Sequence, residues 1–397
     1  SYPYGPEHRG FDEVLIHGGG GVGQLPDYYG NTLYDTTFIH NGKVTPTEGY
    51  CTDTLFDYAM SWIAKKRETP FFCFISTPVT HKPHHGPKDL VQEMKSAGME
   101  GNLELFAQVE NLDANIGRLR EKLDELGLRR NTIVIFASDQ GMRDRGAPPG
   151  EGPFIVGGNA SDGKQYVPFM VWWEGIESRV SEQLAGMIDF FPTILDLCNI
   201  EIPSYVDGYS LKPLLTGNVE DFPQDRKLVI QCPRQRDAEK WKNASVKKKH
   251  WRLVGRDKLL NVSSDLGTTE NVADEHPEVV KELRAEYEKF WDSLPPQEET
   301  LAHHILGGKG FSGTRLNAMG WYKGAQPWRQ REIPNPGNGT WALKVVEPGT
   351  YRFDCRTYPE EADKPLNVSY AKLKIGNVVR EKEVDPDAPF VRFEVPL

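Results

Sequence analysis

Residues 133–142 read IVIFASDQGM, an apolar run closed by Ser138, Asp139, Gln140 and Gly141. Continuous rather than alternating hydrophobicity over this length suits a strand buried on both faces. The ending is the unusual part. A carboxylate and a carboxamide follow the strand directly, and their oxygens are hard donors suited to Ca2+ or Mg2+ rather than to a thiophilic metal. An Asp after a strand also serves as a turn-former or a helix N-cap, so both readings stand at this point.

On either side of this strand the sequence alternates helix and strand. Leu103, Phe106, Val109, Leu112, Ile116, Leu119, Leu123 and Leu126 recur in steps of three and four, which predicts a long amphipathic helix over 103–127. A second helix is expected over 53–66, acidic at its start and basic at its end, as the helix dipole favours. Two further apolar runs, PFFCFIST at 70–77 and VPFMVWW at 167–173, read as strands. Helices are expected at 187–200 and 276–294, while 1–50 reads as surface loops around HGGGGVGQ. The pattern predicts an α/β domain with a mostly parallel sheet covered by helices over 1–225. A small antiparallel sheet with one helix is expected over 226–298. Alternating runs punctuated by Trp, Gly and Pro predict an all-β module over 299–397.

Composition narrows the function. The 397 residues suggest two or three domains, and 11% aromatic residues argue against disorder. A net charge of −10 argues against a nucleic-acid partner. No run reaches the apolar length of a membrane span. The five cysteines are far apart and form no CxxC, so neither a zinc site nor a dense disulfide framework is indicated. Five Asn-x-Ser/Thr triplets would suit a secreted eukaryotic protein, though such triplets also arise by chance, and a periplasmic or secreted setting is expected here.

Three loops follow strand-like runs, on the edge where open α/β sheets bind ligands. They are STPVTHKPHHGP at 76–87, the ASDQG stretch, and GGNASDGKQYVP at 157–168. His81 in the first reads either as an ordinary exposed histidine or as a donor to an anionic substrate and its departing oxygen.

The order and spacing of these stretches resemble the type I sulfatases of the alkaline-phosphatase-like superfamily. The resemblance is carried by RGFDEVL, GYCTDTLFDYAMSWI, PFFCFISTPVTHKP, VENLDANIGRLREKLDELGLRRNTIVIFASDQG, YVPFMVWWEG and MIDFFPTILDLCNI. It implies an alkaline-phosphatase-like sandwich, and hydrolysis of sulfate monoesters on glycans or aryl groups. It implies Ca2+ in preference to Mg2+, and a formylglycine nucleophile. His81 matches the histidine that contacts the sulfate and its leaving oxygen. Asp139 matches a metal-ligand aspartate, and Gln140 stands where Asn is commonest. The family's usual lysine position holds Gly157, so Lys164 is taken for the third loop, with Arg143 and Arg145 as the alternatives. No C/S-x-P-x-R occurs in the chain. The expectation is therefore that the chain resembles the portion C-terminal to the nucleophile motif, with the nucleophile upstream. Two alternatives are a phosphodiesterase or phosphonate hydrolase of the same superfamily, and a catalytically inactive carbohydrate-binding fragment. The second would use Trp321, Tyr322, Trp328 and Trp341.

Overall fold

The computed structural model describes residues 4–139, 167–232, 238–263, 270–296, 301–308, 313–324, 326–334 and 337–397. They form a mixed α/β chain of several small sheets. There are two compact units, Ser1–Leu126 with Leu301–Leu397, and Gly127–Thr300. The C-terminal module thus belongs with the first 126 residues, a grouping that a partition drawn along the chain does not express.

Residues 1–50 are more ordered than the expected surface loops. β1 (Leu15–Ile16), β2 (Thr37–His40) and β3 (Lys43–Pro46) form an antiparallel meander. Between β2 and β3 lie Asn41 at φ 47° and Gly42 at φ 80°. An Asn-Gly pair with both φ positive is the two-residue hairpin turn that matches strand twist. The meander was hidden because its strands are short and polar.

α1 (Cys51–Lys66) buries Cys51, Leu55, Phe56, Ala59, Met60 and Ile63, with Asp53 in its first turn and Lys65 and Lys66 in its last. α2 (Lys88–Ser96) and α3 (Leu103–Glu125) follow, and α3 packs against both. The side chain of Asn102 caps α3 by accepting from the Leu105 N–H. The buried stripe of α3 differs from the apolar one expected. Gln108, Asn111 and Asn115 are buried, whereas Phe106 and Val109 are exposed. The cause is Asp53 on α1. Its Oδ1 accepts from Asn111 Nδ2 at 2.8 Å and Asn115 Nδ2 at 2.7 Å, so this helix pair meets through a carboxylate and two amides.

In the second unit the opening stretch forms β4 (Val134–Ala137), paired with β5 (Phe169–Trp172). The pairing is antiparallel and β4 is half-buried, where a fully buried parallel strand was expected. The run 71–76 likewise joins no sheet among the described residues, and its Phe72 and Phe74 are exposed. An apolar run reports affinity for burial; it does not report strand direction, which the connection sets. Among the described residues the parallel pair is a short one in the C-terminal module.

Past a 3-10 turn, α4 (Phe190–Leu197) carries Pro192 in its first turn, and α5 (Lys212–Thr216) follows. Asp189 at the foot of α4 forms a buried bidentate pair with Arg226, at 2.6 and 2.7 Å. Beyond Arg226, β6 (Leu228–Gln231), β7 (Ala244–Lys248), β8 (Trp251–Val254) and β9 (Lys258–Asn261) make a four-stranded antiparallel sheet. α6 (Pro277–Ser293) lays Val280, Leu283 and Tyr287 on Ala244, Val246, Leu253 and Leu259. Each large apolar side chain so buried contributes about 1.5–3 kcal/mol.

The C-terminal module begins with the parallel pair β10 (His304–Leu306) and β11 (Leu343–Val345). β12 (Thr350–Cys355) pairs with β15 (Val391–Pro396), and β13 (Tyr370–Ile375) with β14 (Val378–Glu383). Residues of both antiparallel pairs meet around Leu366, Val391, Phe393 and Val395, which gives the module its sandwich-like core.

Candidate active site

His81 lies in the loop after the extended run 71–76 and is exposed. Its backbone N–H donates to Pro78 O at 3.0 Å. Its ring Nδ1 stands 2.6 Å from Lys82 O. A carbonyl oxygen only accepts, so Nδ1 carries the proton and Nε2 is left for other chemistry. The other loop histidines serve as anchors. His84 Nδ1 bonds the Oε1 of buried Gln108 at 3.3 Å. His85 presents its carbonyl to the Tyr50 hydroxyl at 2.9 Å. Gly86 N–H donates to Glu104 at 2.8 Å, and a Cβ there would stand 2.6 Å from that of Ala107. Only glycine lets the loop lie this close to α3.

The glycine-rich stretch at 18–23 turns out to be part of this surroundings. Asp27, buried, organises it through four donors. Its Oδ1 accepts from Gly18 N at 3.0 Å, Tyr28 N at 2.8 Å and Asn31 Nδ2 at 3.1 Å, and its Oδ2 from Gly23 N at 2.8 Å. The loop so formed reaches His81. A Cβ on buried Gly21 would stand 3.5 Å from His81 Nδ1 and 3.1 Å from Gln24 Nε2. Two buried polar atoms of the loop, His17 Nδ1 and Gln24 Oε1, have no hydrogen-bond partner among the described residues. Burial pushes the His17 imidazole pKa down, with Asp27 opposing the shift, so its neutral form is favoured. The sequence signal was an Asp four residues before Asn31, downstream of glycines whose N–H groups needed an acceptor.

The C-terminal module grips the same loop. Gln330 Nε2 donates to the carbonyls of Gln24, Asp27 and Tyr28 at 3.1–3.2 Å, and its Oε1 accepts from Gly30 N at 2.9 Å. Leu25 N–H donates to Trp328 O at 3.0 Å, and Tyr29 N–H to Glu361.

Asp139 is exposed directly after β4, where Ser138 N–H bonds Pro168 O at 3.3 Å. Gln140 and Lys164 lie outside the described residues. Among the described residues no three His, Cys, Asp or Glu side chains converge as a metal-binding group. Calcium takes roughly six to eight oxygens. The described donors therefore do not make a calcium site, and no chemical step is derived through a cation.

A loop presenting a histidine Nε2, on mixed α/β architecture, fits the hydrolases with the alkaline-phosphatase-like fold. Residues 4–200, about half of the chain, match the family model described as Sulfatase, and the chain belongs to the sulfatase family. It is 26% identical over 335 residues to the uncharacterized sulfatase YdeN of Escherichia coli (strain K12), covering 73% of this chain and 58% of that protein. It is 33% identical over 214 residues to the steryl-sulfatase of Mus musculus, covering 51% of this chain and 33% of that one. Among solved structures, Ps i-CgsB in complex with k-i-k-neocarrahexaose superposes with a TM-score of 0.61 at 22% identity, over 74% of this chain and 69% of that one. The chain thus spans between a third and somewhat over half of the length of these two curated relatives.

The five cysteines are unpaired. No helix of the described residues is long and apolar enough to cross a membrane.

Proposed function

We propose that this chain is a working part of a sulfatase that hydrolyses sulfate monoesters, and that its substrate is a sulfated glycan. The observation that carries the reading is the fixed imidazole of His81, with Nδ1 committed to Lys82 O and Nε2 exposed. Attack on sulfur breaks the bond to the bridging oxygen and leaves an alkoxide. Protonated His81 donates from Nε2 to that oxygen, so the alcohol departs neutral. General-acid assistance of this kind is worth roughly 10²–10⁴-fold. Lys164 is assigned to a substrate sulfate oxygen, and Asp139 and Gln140 are assigned as two oxygen donors to Ca2+. The family's nucleophile is formylglycine. A glycan is favoured over a small aryl sulfate because the solved relative named above binds a hexaose. A periplasmic or secreted setting is the one in which such chains are met.

The test is sulfate release, followed by ion chromatography, from sulfated oligosaccharides and from 4-nitrophenyl sulfate. His81→Ala is expected to slow the sugar ester, whose alkoxide is a poor leaving group, far more than the nitrophenyl ester. Equal slowing on both would remove the general-acid role. Release of phosphate but not sulfate, from matched esters, would remove the sulfatase reading.

A further inference from the structure

We propose that Trp328, with Arg329 and Arg331, forms a subsite for a sulfated oligosaccharide, binding the chain beyond the ester that reacts at His81. This rests on the reading of the substrate as a sulfated glycan.

The aromatic residues of the C-terminal module divide by what surrounds them. Trp321 and Trp341 pack edge to face at 5.8 Å, and the Trp341 indole donates to Asn317 O at 2.8 Å. Trp321 also covers Gly339 so closely that a Cβ there would stand 1.9 Å from the ring. Tyr322 is half-buried and joined through its backbone to Thr340. These three are packing residues. Trp328 is different, with 55% of its surface exposed. An exposed indole offers a flat apolar face with a polar N–H at its edge, a surface on which a sugar ring can stack.

Its backbone, by contrast, is held firmly. Trp328 N–H donates to Glu332 Oε2 at 2.7 Å, and its carbonyl accepts from Leu25 N–H at 3.0 Å. Arg329 bridges Gln24, and Gln330 closes on three carbonyls of the same loop. The ring therefore stands on a fixed base and loses little freedom when a flat sugar face stacks on it. That base is the glycine loop, where a Cβ built on Gly21 would stand 3.5 Å from His81 Nδ1. A glycan reacting at His81 is thereby brought near the platform.

The charges fit a sulfated ligand. Arg329 and Arg331 are both exposed. The nearby carboxylate of Glu332, which follows Arg331 in the chain, is already engaged by the backbone N–H groups of Trp328 and Arg329. Those N–H groups, the first above all, hold its carboxyl below the usual range, and the two guanidinium groups add to the effect. Two guanidiniums against one occupied carboxylate leave a local positive charge on a chain of net charge −10. Guanidinium forks bind tetrahedral oxyanions through paired N–H bonds.

The experiment is titration calorimetry on the full chain, using an ι-carrageenan hexasaccharide and its desulfated counterpart at low and physiological salt. Binding needs no nucleophile, so turnover does not enter. Trp328→Ala is expected to weaken the sulfated probe roughly tenfold, with Trp328→Phe close to wild type. Arg329→Gln with Arg331→Gln is expected to weaken it by roughly tenfold and to flatten its salt dependence, while leaving the desulfated probe unchanged. Tyr205→Ala, an exposed aromatic of the other unit, is the control. If wild type binds the sulfated probe and the Trp328 and arginine variants bind it equally well, the subsite is wrong and the glycan reading stands. If wild type binds neither probe, both fall. Melting curves matching wild type show that each variant is folded.

Discussion

Replacing Asp27 should undo the glycine loop that lies beside His81. Its carboxylate takes four N–H donors within 2.8–3.1 Å and is itself 3% exposed. A hydrogen bond to a charged group contributes about 1.5–3 kcal/mol, and a stranded buried donor costs about 1–3 kcal/mol. Some of the freed donors will reach water as the loop opens, so the full sum is not realised. Asp27→Ala should therefore cost about 4 kcal/mol. Asp27→Asn keeps an acceptor for the three donors on Oδ1 but turns an NH2 toward the Gly23 N–H, and should cost about 2 kcal/mol. The assay is urea unfolding combined with amide hydrogen exchange at Gly18, Gly23 and Tyr28. Their protection should fall first, and the NMR shifts of the His81 ring, whose Nδ1 lies near the loop, should change with them. A loss under about 1 kcal/mol, with those amides still protected, would mean that the carboxylate does not hold the loop.

Two other perturbations test the framework. Arg226→Met strands the buried Asp189 carboxylate and should cost about 3–5 kcal/mol by chemical denaturation. Adding Asp189→Asn should recover part of this loss, and no recovery in the double variant would contradict the pairing. Glu13 is held down at about pH 2 by the Tyr58 hydroxyl first, then by His40 and Asn41. A depressed carboxyl contributes stability above its unfolded value of about 4.5 that is lost as pH falls toward 2. The Tm gap between wild type and Glu13→Gln should therefore be widest above pH 4.5 and close across that window. A constant gap would show that Glu13 does not titrate there.

Helices were the most legible part of the fold. α1, α3, α4 and α6 lie within a few residues of the periodic stretches, because a 3.6-residue repeat needs no partner to be seen. What the repeat did not show was which face of α3 is buried. That depends on Asp53, which sits on another helix and turns Asn111 and Asn115 inward. Strand direction was equally out of reach, since β4 and the run 71–76 carry an apolar signal without information about neighbours. In the candidate site, the positions of His81 in an exposed loop and of Asp139 just past β4 were legible in the sequence, and their roles stand as proposals. Gln24, Asp27 and Gln330 were not, because their roles come from backbone N–H and C=O groups that no side-chain pattern reveals.

The Gln330 clamp also sets a schedule. Its amide bonds the carbonyl of a residue 306 positions earlier in the chain. During synthesis at about 5–20 residues per second, the glycine loop waits roughly 15–60 s for that partner to leave the ribosome. The loop beside His81 is written early but fastened late, so the nascent protein keeps His81 in an unfinished setting until the C-terminal module arrives.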